Sequence, residues 1–276
     1  MVARSATVGE LAIDTGNVTD CLCTFLRDGL QKAAKRAFVV GLSGGVDSAT
    51  AAYLAVRAVG KEHVVAVVMP YRTGSPSNLE DARRVAETLG TRSVIVDISP
   101  MVDSYFERFP EADRVRRGNA MARVRMVILY DQSVAYDALV LGTGNKTEYW
   151  LGYTTLWGDM ACAINPLGDL YKTQVRQLAR ALGVPESIID KPPSADLWDG
   201  QTDEGELGFA YADVDRLLYY MIDQGCDMRK LREIGFSDDF IERVRQRIHA
   251  TEFKRRMPLI AELQKRQHNR AVGQTP

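Results

Sequence analysis

Charge of one sign, cysteine, histidine and long apolar runs are all scarce in this chain, and each scarcity removes a class of function. Among 276 residues, 35 Lys and Arg stand against 36 Asp and Glu, a formal net charge of -1. So even a balance gives no global pull toward nucleic acid or an anionic membrane surface, and no appended RNA-binding pattern supplies one. The four cysteines, Cys21, Cys23, Cys162 and Cys226, are scattered rather than set in CxxC pairs. That spacing argues against a zinc site and requires no disulfide, leaving buried thiols as the expected state. His63, His249 and His268 are the only histidines, too far apart for a local metal motif. No apolar run approaches a membrane span, and residues 1–10 lack the apolar core of a signal peptide. The expected setting is the cytoplasm. Internal repeats and low-complexity tracts are missing as well. The 46% hydrophobic and 26% charged content is that of a globular protein with a substantial core.

What is present is organised around residues 37–59. Ala37 to Leu42 is a short, β-branched apolar run that reads as a buried parallel strand, and the stretch through Leu54 to Val59 repeats at helical spacing. Between them lies Ser43-Gly-Gly-Val-Asp-Ser48. At a glycine turn from strand to helix, backbone N–H groups and the positive end of the helix dipole face one concavity, which suits a phosphate. No lysine follows the glycines and no GxGxxG is formed, so neither of the two commonest nucleotide loops is present. Asp47 would repel phosphates unless a cation lay between them, and magnesium is the implied cation. The alternative is that Asp47 and Ser48 only cap the helix.

The rest of the chain alternates strands and helices. Apolar positions at helical spacing occupy residues 8–36; strands are expected over Glu62–Met69, Ser93–Asp97 and Ala138–Gly142, and helices over Leu79–Leu89, Asp113–Gln132 and Thr173–Leu182. This pattern predicts an α/β protein with a doubly wound parallel sheet and flanking helices. The loops at Tyr71–Asn78 and Thr143–Asp159 follow strand ends, where open sheets of this class bind ligands. Lys191–Glu204 is too rich in proline and glycine for regular structure and reads as a candidate lid. Helices over about Tyr211–Gln224, Asp227–Ile234 and Ser237–His249 make a small C-terminal helical region, and the polar tail from Gln264 to Pro276 is expected to fray.

The turn resembles the pyrophosphate loop of the N-type ATP pyrophosphatases. Taken with GTGNKTE, LGY, WGD, INPLGDLYKTQV, KPPSADLWDGQTDE and a late FKRRMP, the chain from about residue 37 to 258 resembles the ammonia-dependent NAD synthetases. The resemblance implies an adenine nucleotide α-hydrolase-like fold and a single synthetase domain over 1–276: an N-terminal helix to 36, a core over 37–200 and C-terminal helices over 201–276. It implies a ligase that activates deamido-NAD with ATP and amidates the acyl-adenylate with ammonia, giving NAD, AMP and pyrophosphate. ATP is the co-substrate and Mg2+ the cofactor. It further implies that Gly41, Leu42, Ser43, Gly44, Gly45, Val46, Asp47 and Ser48 bind ATP, with Thr143, Lys172 and Ser194; that Asp47 and Glu148 hold the metal; that Asp47, Lys172 and Asp159 are catalytic, Asp159 holding or deprotonating ammonium; that Arg123, Phe253 and Lys254 meet deamido-NAD; and that the enzyme is a homodimer with the dinucleotide at the interface.

Three positions depart from the commonest family pattern: Leu156 replaces a lysine, Ala163 an aspartate and Phe253 a histidine. All three belong to the implied dinucleotide pocket. They motivate a second reading, an ATP pyrophosphatase acting on a different carboxylate. A non-catalytic nucleotide binder is a third, opposed by the joint presence of Asp47, Glu148, Lys172 and Asp159. Bland roles are open for Arg123 and Lys254 as surface ion pairs and for Asp159 as a helix cap. Only about 36 residues precede the first strand, fewer than the roughly 50 of a small domain, so free ammonia rather than an amidase domain is the expected nitrogen source.

Overall fold

The computed structural model describes residues 9–194, 198 and 201–261. Helix α1 (Thr15–Ala33) leads into β1 (Ala37–Leu42) and α2 (Val46–Val59); β2 (Val64–Val68) is followed by α3 (Pro76–Leu89), and β3 (Arg92–Ile95) by α4 (Ser99–Phe106) and α5 (Arg114–Ala135). Then come β4 (Ala138–Leu141), α6 (Lys146–Leu151), α7 (Lys172–Leu182), α8 (Glu186–Ile189), α9 (Asp203–Leu207), α10 (Tyr211–Leu218), α11 (Met228–Ile234) and α12 (Asp238–Ala250).

The strands form one parallel sheet in the order β3-β2-β1-β4. Alternation along β1 sends Phe38 and Val40 to one face and Val39 to the other. The first face packs on α1, α2, α3 and α7, the second on α4 and α5. Both faces are covered, so β2 is buried throughout and β1 everywhere but at the half-buried Gly41, which is why they read as continuous apolar runs. A third apolar cluster joins α6, α10, α11 and α12.

The expected third strand, Ser93–Asp97, is shifted to Arg92–Ile95 and lies at the sheet edge, where Ile95 is half exposed. Four short helices, α4, α6, α8 and α9, stand where no helix was expected, α9 beginning inside the stretch read as an irregular lid with its first turn capped by Thr202, and the C-terminal helix that starts at Tyr211 turns π-helical over Tyr219–Asp223. Within the candidate lid, residues 195–197 and 199–200 lie outside the described residues, as does the 264–276 tail.

Chain direction reverses its walk across the sheet between β1 and β4, because β2 and β3 add on one side of β1 and β4 on the other. Ligand crevices form at such a switch point. The turn after β1 is built for close approach. Gly44 has φ +81°, and a Cβ there would come within 2.2 Å of the Asn78 carbonyl oxygen. Gly44→Ala should therefore displace the start of α3 and cost about 1–3 kcal/mol, read as a lower urea midpoint; an unchanged midpoint would show that this contact yields freely.

Candidate active site

The C-terminal ends of β1 and β4 open on a cleft of about 1180 Å³. Residues 41–48 except Gly44 line it, with Thr143, Glu148, Asp159, Lys172, Ser194 and Lys254. Gly44 is excluded because it packs under Asn78. The turn is stitched by its own serines: Ser48 Oγ donates to Gly45 O (3.0 Å) and accepts from Ser43 N (3.2 Å). Asp47 does not cap α2. Its side chain points to the floor of the cleft, where Asn145 Nδ2 donates to Oδ1 at 3.1 Å and the Lys172 ammonium contacts Oδ2.

Three separate elements meet on that floor. Asp47 comes from the first turn of α2, Glu148 from α6, and Lys172 is the first residue of α7. The Lys172 Nζ lies 3.6 Å from Glu148 Oε1 as well as touching Asp47. Glu148 is fixed by a capping box: Asn145 Oδ1 accepts the Glu148 N–H (3.0 Å) and Glu148 Oε2 accepts the Asn145 N–H (3.2 Å). Burial alone would push the Lys172 ammonium down, but the Asp47 and Glu148 carboxylates outweigh it and hold the proton more firmly than in ordinary lysine. Burial, and then the charge on Asp47, push the Glu148 carboxyl up to about 8 against the pull of Lys172.

This donor set fits a hard divalent cation. A cationic nitrogen already occupies the space between two converging carboxylates, and no cluster of three or more His, Cys, Asp or Glu able to hold a metal exists among the described residues. Two protein carboxylates completed by substrate phosphates and water is the usual arrangement for Mg2+.

Asp203, at the start of α9, also lines the cleft. Its Oδ2 accepts the Tyr211 hydroxyl at 3.1 Å, while its Oδ1 is buried without a hydrogen-bond partner among the described residues. Asp159 faces the cleft in a tight turn, its Oδ1 accepting Thr155 N–H at 2.6 Å. It caps no helix. It is open to cleft solvent yet ringed by protein, and that desolvation raises its carboxyl above the usual range, with Thr155 opposing. Lys254 makes no ion pair among the described residues; its Nζ donates to Gly152 O (2.8 Å) and Thr154 O (2.6 Å). Burial lowers its ammonium, against the pull of Asp159.

Arg123 and Phe253 are not brought to this cleft. The exposed Arg123 donates Nε and Nη2 to Leu156 O, both at 3.2 Å, and Phe253 is 61% exposed. Leu156 and Ala163 are outside the cleft lining too, so all three departures from the family pattern lie off the floor that holds Asp47, Glu148 and Lys172.

Together, a glycine turn at a sheet switch point, two carboxylates and a buried lysine define a phosphate-binding α/β protein. The family model described as NAD synthase matches residues 18–258, and the chain belongs to that family. It is 52% identical over 256 residues to an NH(3)-dependent NAD(+) synthetase of Trichlorobacter lovleyi, covering 93% of this chain and 94% of that one. A protein of the same description from Chlorobium phaeobacteroides is 51% identical, covering 93% of each. Among solved structures, an NH3-dependent NAD synthetase from Campylobacter jejuni superposes with a TM-score of 0.79 at 35% identity, covering 91% of this chain and all of that one. An NMN synthetase from Francisella tularensis gives 0.82 at 34% identity with the same coverage.

Sequence reading missed Asn145, Asp203, Thr147 and Asp215. Only Asn145 carried a local signal, the Asn-x-x-Glu spacing of a capping box. Because Asn145 both caps α6 and holds Asp47, Asn145→Ala should lower stability by about 1–2 kcal/mol in a urea titration; no change would mean that neither bond counts.

Proposed function

We propose that this chain is an ammonia-dependent NAD synthetase: it couples ATP cleavage to amidation of the nicotinate carboxylate of deamido-NAD, through an acyl-adenylate, and yields NAD, AMP and pyrophosphate. The observation that carries this reading is the meeting of Asp47, Glu148 and Lys172 under the Ser43–Ser48 turn, in a chain half identical to such synthetases over nearly the full length of both.

The chemistry follows from charge. A carboxylate is a poor electrophile until one of its oxygens becomes a good leaving group, and transfer to the α-phosphate of ATP makes it one. In this reading the turn and the N-terminus of α2 receive the phosphates, Thr143 and Ser194 add contacts to ATP, and Lys172 offsets the negative charge that grows as pyrophosphate leaves. Asp47 and Glu148 would hold Mg2+, which when bound neutralises phosphate charge. Asp159 receives ammonium: a carboxylate raised by desolvation accepts a proton more readily, and ammonium must lose one before its nitrogen can attack.

The dinucleotide is assigned to Lys254, Arg123 and Phe253. The last two stand off the ATP cleft, so deamido-NAD would reach beyond it to meet them. A homodimer supplies a reason for that distance, and α5 offers a surface, with Val127, Tyr130 and Val134 exposed at helical spacing. The domain reading is a single synthetase unit over residues 1–276, whose C-terminal helices share their apolar cluster with α6. Among the described residues, no helix is long and apolar enough to cross a membrane.

The test is to incubate the protein with ATP, magnesium and deamido-NAD, supplying ammonium in one reaction and glutamine in the other, with nicotinate mononucleotide as a competing carboxylate. NAD and AMP in equal amounts, with ammonium and with deamido-NAD preferred, is the expected result. AMP formed only with another carboxylate would move the assignment to that substrate. Asp47→Asn should abolish AMP formation and also lower the melting temperature, because it leaves the buried Lys172 ammonium short of a partner; full turnover would refute its metal role.

A second expectation concerns pH. Glu148, raised to about 8, carries a proton at neutral pH in the metal-free protein. A metal must displace that proton, so affinity for Mg2+ should strengthen as pH rises from 6 to 8, approaching about tenfold per unit for one proton. The sign for folding is opposite. Because the folded value exceeds the unfolded one, the metal-free protein should lose stability as pH rises between 4.5 and about 8. Calorimetry in two buffers checks proton release, and pH-independent affinity would contradict it.

A further inference from the structure

Glu148 and Lys172 each sit in the first turn of a helix, where backbone N–H groups have no partner within the helix. For α7 those partners come from elsewhere. Lys172 N–H donates to Thr147 Oγ1 at 3.0 Å, the Thr147 hydroxyl donates to Asp215 Oδ1 at 2.5 Å, and Thr173 N–H donates to Asp215 Oδ2 at 2.8 Å. Thr147 and Asp215 have no exposed surface. One buried carboxylate on α10 therefore holds the start of α6 and the start of α7 together, and Thr147 is the immediate neighbour of Glu148.

A second carboxylate repeats the grip. Asp223, in the π-helical turn that continues α10, accepts Lys146 Nζ at 2.7 Å and the Tyr171 hydroxyl at 3.0 Å. Lys146 and Tyr171 are the residues just before Thr147 and Lys172. Both helix starts are thus pinned twice to one segment of the C-terminal region. Tyr211, the first residue of α10, adds its ring beneath the Lys172 ammonium, 5.2 Å from the ring centre.

We propose that Thr147 and Asp215 are positioning residues for the adenylation step: they fix the separation of the Glu148 carboxylate and the Lys172 ammonium through their hydrogen bonds to the first turn of α7. The inference rests on the reading of Lys172 as the group that offsets charge on the departing phosphates.

The chemistry of the pair favours orientation over simple adhesion. Two apolar side chains would join the helices without burying a carboxylate, whose removal from water is costly unless each oxygen is bonded. Here both oxygens are. The Thr147 hydroxyl accepts one bond and donates another, so its rotamer is fixed by both partners, and the charge of Asp215 lies at the positive end of the α7 dipole. Burial pushes the Asp215 carboxyl up to about 6, while the Thr147 and Thr173 bonds favour its charged form.

The test separates hydroxyl from shape. Thr147→Val keeps the volume and loses both hydrogen bonds; Thr147→Ser keeps the bonds and loses a buried methyl. For Thr147→Val, kcat for AMP formation should fall between about tenfold and a hundredfold, with KM for ATP within about threefold of wild type. Thr147→Ser should return kcat to within about threefold of wild type, even where its melting temperature is the lower of the two. Amide hydrogen exchange at Lys172 and Thr173 should accelerate in Thr147→Val and not in Thr147→Ser. A Val variant with wild-type kcat, or a Ser variant as slow as the Val variant, would overturn the proposal, since packing alone would then explain the site. Should wild-type protein make no AMP at all, the proposed function fails separately. The exchange rates then decide: protected Lys172 and Thr173 amides in the Val variant would overturn the positioning claim.

Discussion

An ammonium group buried between two carboxylates is the interaction on which the rest of the structure depends. Lys172, Asp47 and Glu148 arrive from three helices, and the Lys172 ammonium could not keep its charge so far from water alone. Each helix is held for that purpose. The Gly44 turn sets where α2 begins, the Asn145 capping box orients α6, and α10 grips the start of α7. The parallel sheet does the coarse work: its switch point between β1 and β4 puts the turn and the β4 exit side by side.

The proposed binding of a polyphosphate and a divalent cation rests on the same arrangement. Converging carboxyl groups attract a cation, here the Lys172 ammonium held between them. A glycine turn at a helix N-terminus then offers the complementary surface for anions. Asp159 and Lys254 stand apart in the wall of this cleft, where desolvation moves the first up and the second down. Both shifts favour neutral forms, the property on which the proposed ammonium role of Asp159 draws.

Much of this is legible in the sequence. β1, β2 and β4 are short, apolar, largely buried runs and α2 is buried on most sides, which makes them readable; the long α5 carries only a weak apolar stripe, with Met121 and Ile128 its buried apolar residues. The motif residues Asp47, Glu148, Lys172 and Asp159 do share one cleft. What escaped did so for physical reasons. β3 is an edge strand with exposed side chains, so its pattern is weak. Helix α6 is only six residues long and is held by its cap rather than by an apolar stripe. Asp215 is one polar residue on an amphipathic helix, and its burial against two other helix starts is a tertiary event that no local pattern announces. Arg123 and Phe253, named by resemblance, do not line the cleft: Arg123 is turned onto the Leu156 carbonyl and Phe253 is exposed, orientations that no local pattern announces.

The most direct measurement is a pH titration of the Lys172 ammonium by nitrogen-15 NMR in the metal-free protein, with Asp47→Asn beside it. If the carboxylates outweigh the burial of this lysine, its signal will still report a charged group at a pH where the surface lysines have lost half their protons, and the Asp47→Asn variant will titrate at lower pH. A Lys172 that loses its proton with the surface lysines or before them, or that ignores the loss of Asp47, would contradict the account at its centre.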